Sequence, residues 1–130
     1  MKDAKILLVD DEVVFANNMS KLLNRRGYQV TAVNGGDAAL RELMDKSFDV
    51  MVLDLKMPGM DGIAVLQEMR KLALFTEVLV LTGHGSIDSA LEAIQLGAYD
   101  YLTKPCEIAE LVSKIEAALE RKSAKEKKGS

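Results

Sequence analysis

Five short apolar runs, KILLVD, YQVTAV, FDVMVLD, EVLVLT and AYDYL, alternate along the whole chain with segments whose apolar residues recur at helical spacing. The runs are rich in Val, Leu and Ile and bounded by Gly, Asp, Asn or Thr, as expected of strands in a parallel sheet covered on both faces. Between them, EVVFANNMSKLLNRRG puts Phe15, Met19, Leu22 and Leu23 on one helical face, with Gly27 where a C-terminal cap is wanted. GDAALRELMDK groups Leu40, Leu43 and Met44, and IAVLQEMRKL supplies a shorter third helix after the turn-rich MPGMDG. In the fourth segment Ser86 is an expected N-cap, Ala90, Leu91 and Ile94 are expected to face inward, and Gly97 to stop the helix. Ile108, Leu111, Val112, Ile115 and Leu119 mark the fifth. The order is βα repeated five times, an α/β class chain whose open, doubly wound parallel sheet carries helices on both faces.

With 130 residues, 48% of them apolar, the chain suits one domain with one core. No apolar run approaches the roughly 20 residues that span a bilayer, and MKDAKILLVDDE lacks the pattern of a secretory signal, so a cytoplasmic location away from membranes is expected. The single cysteine, Cys106, has no internal disulfide partner and reads as a small half-buried apolar residue. The net charge of −3 is uneven: positions 121–130 hold five Lys/Arg and one Glu, which leaves 12 basic and 19 acidic residues in positions 1–120. So acidic a body is a poor surface for nucleic acid, and direct binding to it is not expected. Helical periodicity ends after Glu120, so residues 1–122 are expected to form the domain. Residues 123–130 are expected to form a basic flexible tail, a linker or a remnant added to the chain.

In sheets of this kind ligands bind beyond the carboxyl ends of the strands, where the strand order reverses. Asp10 and Asp11 end the first strand, Asp54 the third, Thr82 the fourth and Lys104 the fifth, so their side chains should converge. Asp54 interrupts the apolar run VMVLDLKMPGMDG, and burying a carboxylate without a partner costs several kcal/mol at least. Three carboxylates at one edge repel one another unless a cation sits among them. Magnesium meets that need: it prefers oxygen ligands and takes one or two carboxylates while leaving room for phosphate oxygens. Lys104 adds a compact positive charge and Thr82 a hydroxyl donor, a set suited to a phosphoryl group carried on Asp54 after its carboxylate attacks phosphorus.

LLVDDE (7–12), VLDLKMPGMDG (52–62), VLTGHGS (80–86) and GAYDYLTKP (97–105), at their spacing through five βα units, resemble the receiver domain of two-component response regulators from residue 4 to about 120. The resemblance implies a flavodoxin-like, CheY-like sheet with strand order 2-1-3-4-5. It implies that Asp54 accepts phosphate from a sensor histidine kinase and that Asp11 binds magnesium directly. Asp10 would help through water, and the Lys56 carbonyl would complete the metal's protein ligands. Thr82 and Lys104 would hold the phosphoryl oxygens, with a cis peptide at Lys104-Pro105. In the resemblance, Lys56 and His84, two residues after Asp54 and Thr82, would occupy the positions that tune hydrolysis of the acyl phosphate. On phosphorylation Thr82 would move toward the phosphoryl group and Tyr101 turn inward, remodelling the face of helix four, strand five and helix five. As an ordinary strand aromatic, Tyr101 would need no such role. His84, a lone loop histidine, is expected to be solvated rather than a phosphate carrier, and Asp61 to cap the third helix or lie in solvent.

Two other chemistries fit less well. A haloacid-dehalogenase-type phosphatase wants a second aspartate two residues after the nucleophile, where this chain has Lys56, and a flavin-binding flavodoxin wants a glycine- and hydroxyl-rich loop where DDEVV would repel phosphate. A signalling domain rather than an enzyme is therefore expected. Its downstream partner is an effector domain or protein, and the resemblance admits homodimer formation on phosphorylation. LTGHGSIDSALEAIQLGAYDYLTKP is similar to receivers of sigma-54-dependent (NtrC-type) transcription regulators, so two roles fit: a stand-alone receiver, or the excised amino-terminal domain of such a regulator.

Overall fold

The computed structural model describes residues 3–72, 74–83 and 87–129, with side chains as far as residue 126. Five strands, β1 (Lys5–Val9), β2 (Gln29–Val33), β3 (Val50–Asp54), β4 (Glu77–Thr82) and β5 (Asp100–Thr103), alternate with α1 (Val13–Arg25), α2 (Gly36–Asp45), α3 (Gly62–Leu72), α4 (Ile87–Gln95) and α5 (Ile108–Gly129). All strand pairs are parallel, in the order β2-β1-β3-β4-β5. Every residue of β3 and β4 is buried, while β2 and β5, at the edges, are partly open. Continuous apolar sequence thus goes with central strands covered on both sides.

Alternation along the strands divides the core in two. Ile6, Leu8, Val50, Val52, Leu79 and Leu81 face α1 and α5, meeting Met19, Leu23, Leu111 and Ile115. Leu7, Val9, Met51, Leu53, Val78 and Val80 face the other way, toward Leu43, Val65, Leu66 and Met69 of α2 and α3 and Ala93 of α4. Burying side chains of this size stabilises the fold by about 1.5–3 kcal/mol each. The chain leaves β1 toward one side of the sheet and returns through β3 on the other, so the carboxyl ends of β1 and β3 flank the switch point.

Helical faces are narrower than the spacing of large apolar residues predicts. Met44 is 69% exposed and Leu91 53%, whereas α2 meets its neighbours through Gly36, Ala39 and Leu43, and α4 through Ala90 and Ala93. Small residues let these helices approach closely, which turns Met44 and Leu91 outward. Leu22 is likewise partly exposed at the edge of α1's buried stripe of Ala16, Met19 and Leu23. Gly27 and Gly97 end α1 and α4 with φ of 99° and 111°, a region that disfavours side chains. The N-cap expected at Ser86 lies outside the described residues.

The segment expected to be a flexible tail is instead helical as far as Gly129. Lys125 of that segment, and Arg121 and Lys122 just before it, have acidic partners at the amino-terminal edge of the sheet. Arg121 Nε lies 3.0 Å and Lys125 Nζ 3.2 Å from Glu77 Oε2, and Lys122 Nζ lies 3.2 Å from Asp49 Oδ1. Lys122 also meets Glu126 one turn on, at 2.9 Å.

Candidate functional site

Asp10 follows the last residue of β1, and Asp54 is the last of β3. Because Val9 pairs with Leu53, the next residue on each strand lies side by side at the sheet's carboxyl edge. Asp10 is fully buried and Asp54 is 5% exposed. A backbone turn supports each carboxylate: Asp10 Oδ1 accepts the Glu12 N–H at 2.9 Å, and Asp54 Oδ1 accepts the Lys56 N–H at 3.1 Å. Asn34, just after β2, donates its side-chain N–H to the Asp10 carbonyl at 2.9 Å, tying a third loop to the site.

Lys104 enters from the far edge. Its N–H donates to the Thr82 carbonyl at 2.8 Å, continuing the β4–β5 ladder by one rung, and the Lys104-Pro105 peptide is cis. The ammonium lies 2.9 Å from Asp10 Oδ2 and 3.8 Å from Asp54 Oδ2, and it hydrogen bonds to Glu12. It also lies 4.6 Å above the centre of the Phe15 ring. Thr82 is buried at the end of β4.

Burial pushes the Asp54 pKa up to about 6; the Lys56 N–H and the Lys104 charge oppose that rise, while the charges of Asp10 and Asp11 add to it. Burial alone would lower the Lys104 pKa, but hydrogen bonds to Glu12 and Asp10 and the nearby Asp54 carboxylate outweigh it and raise the value. Lys104 therefore stays charged. Carboxylate oxygens of Asp10, Glu12 and Asp54 all lie within 4.8 Å of one another, a cluster of hard oxygen donors that fits a divalent ion such as magnesium.

Asp10, Asp54, Thr82 and Lys104 are thus brought to one edge as their strand-end positions require. Asp11 is half-buried beside them, near enough to act on Asp54 through its charge, but the cluster of three takes Glu12 in its place. Glu12, Asn34 and the ring of Phe15 were missed from sequence. Glu12 had left a sign, as the third acid of the DDE run immediately ahead of α1. Lys56 contributes its N–H to Asp54 while its side chain is exposed. Tyr101 is half-buried against the core cluster on the α4 side. Asp61 caps α3, accepting the Ala64 N–H at 3.0 Å. Cys106 is half-buried against the core on the α5 side. His84 lies outside the described residues.

The glycine that opens α3 sets how closely that helix approaches the site. A Cβ at Gly62 would stand 2.8 Å from the Asp54 carbonyl and 2.7 Å from the Leu55 Cα, both backbone atoms.

The family model described as the response regulator receiver domain matches residues 6–116. The chain belongs to that family. Among relatives of this receiver domain, the transcriptional regulatory protein ZraR of Escherichia coli K12 is 39% identical over 114 residues, covering 88% of this chain and 26% of ZraR. FixJ of Bradyrhizobium diazoefficiens, also a transcriptional regulatory protein, is 38% identical over 114 residues, 88% of this chain and 56% of FixJ. The receiver domain thus spans about a quarter of the length of ZraR and just over half that of FixJ. Of solved structures, the receiver domain protein of Clostridium thermocellum superposes with a TM-score of 0.88 at 36% identity, covering 93% of this chain and 98% of the other. NtrX of Brucella abortus gives 0.92 at 33% identity, covering 98% of this chain and 29% of NtrX. These likenesses agree with the resemblance to NtrC-type receivers and with the CheY-like sheet order. Among the described residues, no helix is long and apolar enough to cross a membrane.

Proposed function

We propose that this receiver domain is a phosphorylation switch, with Asp54 accepting a phosphoryl group from a sensor histidine kinase in a magnesium-dependent reaction. The observation that carries the reading is the placement of Asp54: a buried carboxylate at the end of β3, beside Asp10 and 3.8 Å from the Lys104 ammonium. Asp10, Asp11, Asp54 and the Lys56 carbonyl would hold the metal, and the proximity of Glu12 to Asp10 and Asp54 adds a further oxygen donor. A bound magnesium ion supplies positive charge that offsets the phosphoryl oxygens and keeps Asp54 ionised.

The remaining steps belong to the chain's own groups. Asp54 attacks phosphorus as a carboxylate, an O–P bond forming as the P–N bond to the kinase's phosphohistidine breaks and the imidazole nitrogen leaves with the electron pair. The Lys56 N–H already directed at Oδ1 helps to hold the carboxylate's orientation. Lys104, charged and close by, neutralises the transferred group's oxygens. The Thr82 hydroxyl donates to one of those oxygens, and its movement frees space beside β4 into which Tyr101 turns. Tyr101 is suited to this because it sits half-buried between solvent and the core on the α4 side. The α4-β5-α5 face then presents a different surface to an effector domain or protein, and homodimer formation is one way to read it. The reading is of a cytoplasmic signalling domain, not an enzyme with turnover on an external substrate. Likeness to ZraR and NtrX, each far longer than this chain, favours the amino-terminal domain of a transcription regulator over a stand-alone receiver.

Intact-mass measurement after incubation with a small phosphodonor and magnesium tests the reading. One phosphoryl adduct is expected on the wild type, and none on Asp54→Asn or when the metal is chelated. A folded wild type that takes up no phosphoryl group from either a small donor or a histidine kinase overturns it.

A further inference from the structure

The geometry points to Phe15 as a positioning residue for Lys104, a role that rests on the reading of Asp54 as phosphoacceptor. Phe15 lies in the first turn of α1, half-buried against the core on the α1/α5 side, so packing on its inner side holds the ring in place. The other side of the ring meets the Lys104 ammonium, 4.6 Å from the ring centre. A cation over an aromatic face is attracted by the ring's quadrupole.

What sets Phe15 apart from the other partners of Lys104 is its lack of charge. Lysine is a point charge on a flexible four-carbon stem, and its position in a site depends on what surrounds it. Asp10 and Glu12 both draw the ammonium to themselves, and Glu12 is largely exposed at 63%. A carboxylate seat competes with phosphoryl oxygens for the same ammonium hydrogens. A ring face restrains the ammonium without adding a further anion. Lys104, already paired with Asp10 and Glu12, is thus held beside Asp54 by a partner that does not itself compete with phosphoryl oxygens as an acceptor. Without the ring, the ammonium is expected to follow the exposed Glu12 carboxylate, to which it is already bonded, away from Asp54.

The experiment compares the full chain with Phe15→Leu, Phe15→Met and Phe15→Tyr, alone and with Lys104→Ala, each checked for cooperative unfolding. The first readout is the NMR shift of the Lys104 Cε methylene. A ring-current displacement is expected in the wild type and in Phe15→Tyr, and is lost in the Leu and Met variants. The second is the rate of phosphoryl uptake from phosphoramidate with magnesium, followed by intact mass. Phe15→Leu and Phe15→Met are expected to slow it roughly threefold to tenfold, the range an interaction of this kind supports. Phe15→Tyr should restore it, and Phe15→Leu should add no further loss once Lys104 is alanine. Wild-type rates in both the Leu and Met variants, or an undiminished loss on the Lys104→Ala background, overturn the role of Phe15 and leave the phosphoacceptor reading intact. No uptake by the wild type, while small donors phosphorylate a control receiver, overturns both.

Discussion

The two ends of the sheet each bury a carboxylate and surround it with lysine or arginine, yet they are built for opposite ends. At the amino-terminal edge, Glu77 is 2% exposed and faces Arg121 and Lys125, while Asp49 takes Lys122. At the carboxyl edge, Asp10, Glu12 and Asp54 share Lys104, with Asp11 close enough to act on Asp54. Cations match or exceed acids in the first group and are outnumbered in the second. A balanced cluster anchors one element to another, here the end of α5 to the sheet. A cluster short of positive charge keeps a carboxyl group from ionising easily and is open to a divalent ion or a new covalent partner. Burial alone does not separate structure from chemistry; the balance of partners does.

That contrast breaks most sharply at the amino-terminal edge. Ending the chain after Glu120 removes Arg121, Lys122 and Lys125 and leaves Glu77 without its cationic partners. A loss of up to about 3 kcal/mol is expected in urea unfolding, less than for a fully buried pair because the two cations are 37% and 47% exposed. Adding Glu77→Gln to the shortened chain should recover much of it. Equal losses with and without that change would mean that Glu77 is not what holds the helix end.

At the carboxyl edge the expected effect has the other sign. The folded pKa of Asp54, about 6, lies above its ordinary value of 3.8. A raised pKa gives stability that is fully present below about pH 4 and is lost as pH rises through 6. With magnesium chelated, Asp54→Asn should therefore be more stable than the wild type above pH 6, by about 2–3 kcal/mol. The gain should shrink to nothing near pH 4. Parallel stability curves from pH 4 to pH 7 would remove the charge imbalance from the account of this site.

Gly62→Ala sharpens the contrast by moving the backbone of Asp54 rather than its charge. A Cβ there meets the Asp54 carbonyl and the Leu55 Cα, so α3 must shift, at about 1–3 kcal/mol in thermal unfolding. Phosphoryl uptake should fall with it, while the ion pairs at the far end stay intact. Smallest of all, Lys71→Ala removes an exposed pair with Glu68 at 3.2 Å and should change stability by less than about 0.5 kcal/mol. A larger effect there would show that proximity of charges, without burial, carries weight in this molecule.

Much of this was legible beforehand. Strand runs, the glycine stops at Gly27 and Gly97, and the placing of Asp10, Asp54, Thr82 and Lys104 at strand ends all follow from local patterns. Helix faces were less legible at Met44 and Leu91, because size suggested burial while small neighbours determined which side of each helix could approach its support. The end of α5 was read as a tail because its own residues are polar. The partner of Lys125 there, Glu77, lies far back in the chain, as do Glu77 and Asp49 for Arg121 and Lys122 just before it.

By itself, the sequence determined the repeated βα order, the two-sided burial of the central strands and that Asp10 and Asp54 lie at the carboxyl edge of the sheet. These depend on periodicity and on strand ends, which are local properties. Tertiary structure decided that Glu12 joins Asp10 and Asp54, that Asn34 braces Asp10, that Phe15 lies under the Lys104 ammonium, and that the last turns of α5 are held to the sheet. Each of these joins groups from separate elements whose distance and direction exist only once the sheet has assembled, and electrostatic and ring contacts fall away within a few ångströms.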